Sequence, residues 1–360
     1  MVYAWAPAMQ LPQKALVQQL TEHSQALALP DGRRVGQPGH EVAREYLRGQ
    51  MERIGLQPFE GSSFELPYER DHPNHGELQA FTNLVGIIPG RDRSLPPILL
   101  GAHYDSVIDA PCVDDNATSV AHNLLLADHF VKEPLERDLI IAFFDAEEPP
   151  FFLGECMGSR RFCEDYCGEI DFAAVIVTDL VGHDATDGGL PIPGPVKTLL
   201  PHLKNLIGVM GAESDGTFPA IVEAAANEAS ELRVLSVLHR YVGPMSDHAA
   251  FAAAGQPFLF LSCGMGRHYH TPQDTMEWIN FEKLAHTTRF IADIVLRIDR
   301  TPADASHRRF DPFATDVRML KKALGPMASV GLRALGIKIP ESREELDDFL
   351  GNLVVGRMLG

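Results

Sequence analysis

The chain has 360 residues, 45% apolar and 22% charged, which is the composition of an ordinary globular protein with one large core or two modest ones. Its 49 acidic and 31 basic side chains give a formal net charge of −18, which argues against nucleic acid or an anionic membrane surface as the main partner. No run approaches the ~18 apolar residues of a membrane span. The opening MVYAWAPAMQLPQKALVQQL lacks the basic and apolar regions of a signal peptide.

In chain order, helical periodicity covers residues 12 to 28 and 40 to 54, with Leu16 and Leu20 on one face and Ala43, Tyr46, Leu47 and Met51 on the other helix's face. LPDGRRVGQPG between them is a loop, and Gly55 ends the second helix. LQPFEGSSFELPY reads as an extended edge strand. From Phe81 onward strands and helices alternate. NLVGIIPG, PILLGAH, DLIIAFFD, AAVIVTD, ELRVLSVL and QPFLFLS are strands, with helices from Ala117 to Phe130 and from Ser159 to Tyr166. This pattern predicts a three-layer αβα sandwich with a mostly parallel, mixed central sheet over residues 1–300. After the polar connector TPADASHRRFDP, residues 301–360 read as a C-terminal helical tail that packs on the main domain or on a second copy of the chain. Cys112, Cys156, Cys163, Cys167 and Cys263 are an odd set without zinc-knuckle spacing, as expected of reduced thiols in a cytoplasmic protein.

Chemistry gathers where the predicted strands end. His103 and Asp105 follow PILLGA, Asp114 and Asp115 open the next helical pattern, and Glu147 and Glu148 follow FFDA. Asp179 ends the fourth strand, and His268-Tyr269-His270 follows the sixth. Taken singly, each has an ordinary explanation: acids after strands often cap helices, and loop histidines are usually exposed. Together they place many carboxylates on one sheet edge, which costs several kcal/mol in repulsion unless cations neutralise them. Carboxylate and imidazole donors suit zinc and its first-row neighbours.

The ordered motifs NLVGIIPG, GAHYDS, VDDNA, FFDAEE with GSR, VTDLVG, SDHAAF and YHTPQDT resemble those of the zinc-dependent, dinuclear M28-type aminopeptidases, from about Gln37 to about Ile298. The resemblance implies a metallopeptidase that removes N-terminal residues from a peptide or aminoacyl substrate with two zinc ions. It implies metal ligation by His103, Asp114, Glu148, Asp179 and His270, with Asp114 bridging the pair. Glu147 would be the general base, Asp105 would orient His103, and Asp247 would support the site from behind the ligands.

Two features depart from the simple aminopeptidases. The stretch PPFFLGECM after Glu148 is long, as in the glutaminyl cyclases, which share the fold and use one zinc. The helical tail is the other, with homo-oligomer formation as one role for it. A cyclase-like acyltransferase and an inactive binding module of the same fold are the alternatives; the intact second acid of VDDNA and the full ligand set favour the hydrolase. Phe151, Phe152, Met245 and Met265 are candidate lining residues.

Overall fold

The apolar runs become strands of one sheet because their alternate residues have a core to enter on each side. The computed structural model describes residues 9, 11–185, 204–302, 311–334, 338 and 340–354. Helices Gln13–Leu27 (α1) and Pro38–Ile54 (α2) precede strands Gln57–Pro58 (β1), Glu65–Asp71 (β2), Leu78–Ile88 (β3) and Ile98–His103 (β4). Thr118–Lys132 (α3), Leu139–Phe144 (β5), Gly158–Tyr166 (α4) and Ala174–Thr178 (β6) follow. Then come Leu206–Met210 (β7), Phe218–Glu228 (α5), Arg233–Val237 (β8), His248–Ala253 (α6), Phe258–Ser262 (β9) and Phe281–Asp299 (α7). Phe313–Ala334 (α8) and Arg343–Val354 (α9) lie at the end.

The sheet has nine strands in the order β1-β3-β5-β4-β6-β9-β7-β8, with β2 paired to β3. The central run β5-β4-β6-β9 is parallel, whereas β3 and β7 run antiparallel to their inner neighbours. The fold is thus a mostly parallel α/β sheet flanked by helices. Strand β7 was not among the predicted strands: its short run is broken by Gly208, and its place between β9 and the edge strand β8 is set by antiparallel pairing to the one and parallel pairing to the other.

Alternation divides the core cleanly. Ile98, Leu100, Ile141, Phe143, Ile176 and Leu259 enter one cluster with residues of α1, α2, α3 and α7. Leu99, Ile140, Phe144, Val177 and Phe260 enter the other, with Phe162 of α4 and Phe251 of α6. Burial on both faces explains why these strands are apolar along most of their length, with polar residues at the carboxyl ends of β4, β6 and β9. Gly55, with φ of 90°, caps α2 in a left-handed conformation and returns its N–H to Met51 O at 3.1 Å. No helix of the described residues is long and apolar enough to cross a membrane.

The tail completes the second cluster. Val317 and Leu320 of α8 and Leu346 of α9 are buried in it. Ser236 Oγ of β8 donates to Asp316 Oδ1 at 2.9 Å, and Arg343 binds the other oxygen of Asp316 at 2.9 Å. Truncation after Arg300 should therefore lower the unfolding free energy by roughly 3–6 kcal/mol, the worth of two or three buried aliphatic side chains. Urea denaturation would measure this, and the metal content of the folded fraction should be unchanged.

Candidate metal centre

Because β4, β5, β6 and β9 are parallel, their carboxyl ends lie on one edge, where open α/β sheets bind ligands. Strand β4 ends in His103, β5 leads into Glu147 and Glu148, β6 leads into Asp179, and the loop after β9 carries His270. His103, Asp105, Glu147, Glu148 and Asp179 are all buried; His270 is partly exposed.

The structure brings these groups together around Asp115, not Asp114. Asp115 Oδ1 lies 3.3 Å from His103 Nε2, and Asp115 Oδ2 lies 3.3 Å from His270 Nε2. On the His103 side stand Asp179 Oδ1, 3.8 Å from Nε2, and Glu147 Oε2, at 3.9 Å. On the His270 side stands Glu148 Oε2, 3.2 Å from Nε2. Asp114, to which the resemblance gives the bridging role, is therefore not among these donors; its neighbour Asp115 stands between the two imidazoles. Asp114 faces away and is fully engaged: Oδ1 accepts from the N–H groups of Gly182 (2.7 Å) and His183 (3.1 Å), and Oδ2 is 2.6 Å from His183 Nδ1. A side chain at position 182 would collide with that carboxylate, its Cβ falling 2.8 Å from Asp114 Oδ1.

Two further carboxylates hold the acidic pairs by their backbones. Asp105 accepts the N–H of Glu147 on Oδ1 and that of Glu148 on Oδ2, each at 3.1 Å, while Oδ1 also lies 3.2 Å from His103 Nδ1. Asp274 does the same for the other pair, accepting from Asp114 N at 2.9 Å and Asp115 N at 3.1 Å. Asp274 belongs to the YHTPQDT stretch, but its partner lies far away in sequence, so only the fold reveals its role.

Arg33, from the loop between α1 and α2, fixes the same segment from below. It is fully buried, and its guanidinium donates only to backbone carbonyls: Tyr104 (2.9 Å), Leu27 (2.8 Å), Pro111 (2.7 Å), Cys112 (2.9 Å) and Asp115 (3.3 Å). That uses all five N–H donors of the group. An ammonium cannot serve five carbonyls spread this way. Arg33→Lys should therefore destabilise the protein by roughly 2–4 kcal/mol through unpaired buried carbonyls, read from thermal or urea unfolding.

Several donor atoms of the centre are unpaired. His103 Nε2, Asp115 Oδ2, Glu148 Oε1, Asp179 Oδ1 and His270 Nε2 are buried without a hydrogen-bond partner, and they converge on the same space. Single donor atoms of His103, Asp115 and Glu148 lie within 4.8 Å of one another. Burial, with the neighbouring carboxylates, pushes Glu148 up to about 8 and Glu147 well above the carboxylate range. Against the cost of burial, Asp115 and Glu148 raise His270 to about 10, and His103 and His270 hold Asp115 below the usual carboxylate range. Buried unpaired polar atoms are costly and rare, and a donor set of imidazole and carboxylate is the chemistry of a zinc site. The residues present fit metal ions.

Asp247, at the start of α6, is wholly buried and neither of its oxygens has a hydrogen-bond partner; burial raises it to about 7. His268 stands away from the donor set, its ring packed edge-on against Trp278 at 4.4 Å between centroids.

Residues 83–295 match the model of peptidase family M28. The chain belongs to that family. Another chain similar to this M28 protein is the uncharacterized protein YfbL of Escherichia coli (strain K12), 29% identical over 206 residues. That alignment covers 53% of this chain and 63% of YfbL, so the chain spans less than two thirds of this relative's length. Among solved structures, a leucine aminopeptidase precursor from Bacteroides thetaiotaomicron has a TM-score of 0.59 at 17% identity, over 80% of this chain and 98% of that one. A glutaminyl cyclase from an Acidobacteriales bacterium has a TM-score of 0.60 at 18% identity, over 82% and 99%. At such identities the likeness is one of fold, and the same fold carries both names.

Proposed function

We propose that the chain is a zinc-dependent aminopeptidase with two metal ions, one held by His103, Asp179 and Asp115 and the other by His270, Glu148 and Asp115. The observation that carries this reading is the placement of the Asp115 carboxylate, with one oxygen beside each imidazole. Two imidazoles and two further acids around one carboxylate offer enough donors for two ions that share it.

Two zinc ions bound there would supply Lewis-acid polarisation of the scissile carbonyl and a lowered pKa for the attacking water. Glu147 is outside both ligand sets, so its carboxylate is free to accept the water's proton and pass it to the leaving amine. Asp105 holds Glu147 and Glu148 by their backbone N–H groups and the ring of His103 by Nδ1, which fixes base and ligand relative to each other. The surrounding carboxylates favour a substrate with a free, positively charged α-amine.

The test is a panel of aminoacyl amides, their N-acetylated counterparts and peptides with N-terminal glutamine. Release of the first residue only from free-amine substrates supports the aminopeptidase. Cyclisation of the glutaminyl peptides without hydrolysis of the amides would replace it with a cyclase.

A further inference from the structure

Lys283, near the start of α7, is wholly buried, and among the described residues no carboxylate lies within ion-pairing distance of it. Its Nζ instead meets the carbonyl oxygens of Val181 (3.3 Å) and His183, and Cys263 Sγ at 2.6 Å. Cys263 is also buried and directly follows β9, so the contact ties α7 to the end of the sheet beneath the metal centre. A nitrogen and a sulfur 2.6 Å apart are well inside van der Waals contact and stand at the span of one bridging atom.

The geometry points to an oxidative cross-link at this site, in which Cys263 Sγ and Lys283 Nζ are joined through a single oxygen atom supplied by dioxygen. The reaction starts from the neutral amine and the thiol. The S–H bond and one N–H bond break, and S–O and N–O bonds form. The dioxygen bond breaks, and its second oxygen leaves as water with the two hydrogens. Four electrons pass from the sulfur and nitrogen to dioxygen, and two equivalents of a dithiol reverse the change. Dioxygen is small and uncharged, which suits a pair that no bulky oxidant reaches.

The link would change the metal centre through the residues that Lys283 now holds. Bridged, Nζ keeps one N–H and no charge, so it can no longer bind both Val181 O and His183 O. The Val181–His183 segment carries the N–H groups of Gly182 and His183 that fix Asp114, and Asp114 adjoins the bridging Asp115. The cross-linked protein should bind zinc about tenfold more weakly, the lower end of the 10–100-fold cost of disturbing groups behind a metal ligand.

The test compares air-saturated and dithiothreitol-treated samples of the full chain. Proteolysis without reductant and mass spectrometry should yield one linked peptide containing Cys263 and Lys283, with one oxygen gained and two hydrogens lost, absent after dithiothreitol. The same linked peptide should be missing from Cys263→Ser. Full alkylation of Cys263 in denatured, air-saturated protein, or a linked peptide without the extra oxygen, would overturn the proposal. Zinc competition against a chromogenic chelator supplies the second reading, and equal affinity of the two forms would overturn the coupling to the centre. That coupling rests on the two-metal reading, whereas the linked peptide does not, so failure of one is distinguishable from failure of the other.

Discussion

Asp115→Asn is expected to lower the affinity of both metal positions, and Asp114→Asn far less. One Asp115 oxygen lies 3.3 Å from His103 Nε2 and the other 3.3 Å from His270 Nε2, so the substitution removes an anionic donor from each half. Its effect should exceed the roughly 10–100-fold loss typical of a group behind the ligands. Asp114 is such a group, spent on Gly182 and His183, and its replacement should fall within that range. Elemental analysis after dialysis, with zinc titrated back against a chelator, separates the two. An Asp115→Asn protein with full metal content beside a depleted Asp114→Asn protein would reverse the assignment.

The adjacent acids of FFDAEE should divide in the same way. Glu147→Gln keeps the shape of the side chain and removes the proton acceptor, so turnover should fall by roughly 10²–10⁴-fold. Metal content and KM should stay near wild type, because Glu147 belongs to neither ligand set. Glu148→Gln removes the acid that sits 3.2 Å from His270 Nε2, so it should lose metal from the His270 side and regain part of its activity in excess zinc. Steady-state kinetics at rising zinc concentration distinguish these behaviours. Near-normal turnover in both variants would mean that neither acid works in the reaction.

The parts of the fold legible in the sequence are those set by local pattern. PILLGAH had to be a buried parallel strand because every residue from Ile98 to His103 is buried, and the acids and imidazoles at strand ends follow from that direction. The choice between Asp114 and Asp115 was not legible. The two are identical in type and adjacent, and their directions are set by a backbone that leaves helical values at Asp115 (φ −114°, ψ 82°) and Asn116 (φ −135°, ψ 34°). Arg33, His183 and Asp274 were missed for another reason. Each acts on a segment distant in the chain, largely through backbone groups that any residue would present, so no spacing or composition marks them. Strand β7 needed its antiparallel partner β9 to be recognised at all.

The most direct test of the two-metal centre is the zinc content of purified, active wild-type chain, measured by inductively coupled plasma mass spectrometry against protein concentration from amino-acid analysis. The shared Asp115 carboxylate, with one imidazole on each oxygen, predicts two zinc ions per chain at full activity. Full activity with one tightly held zinc, unchanged on adding more, would contradict it.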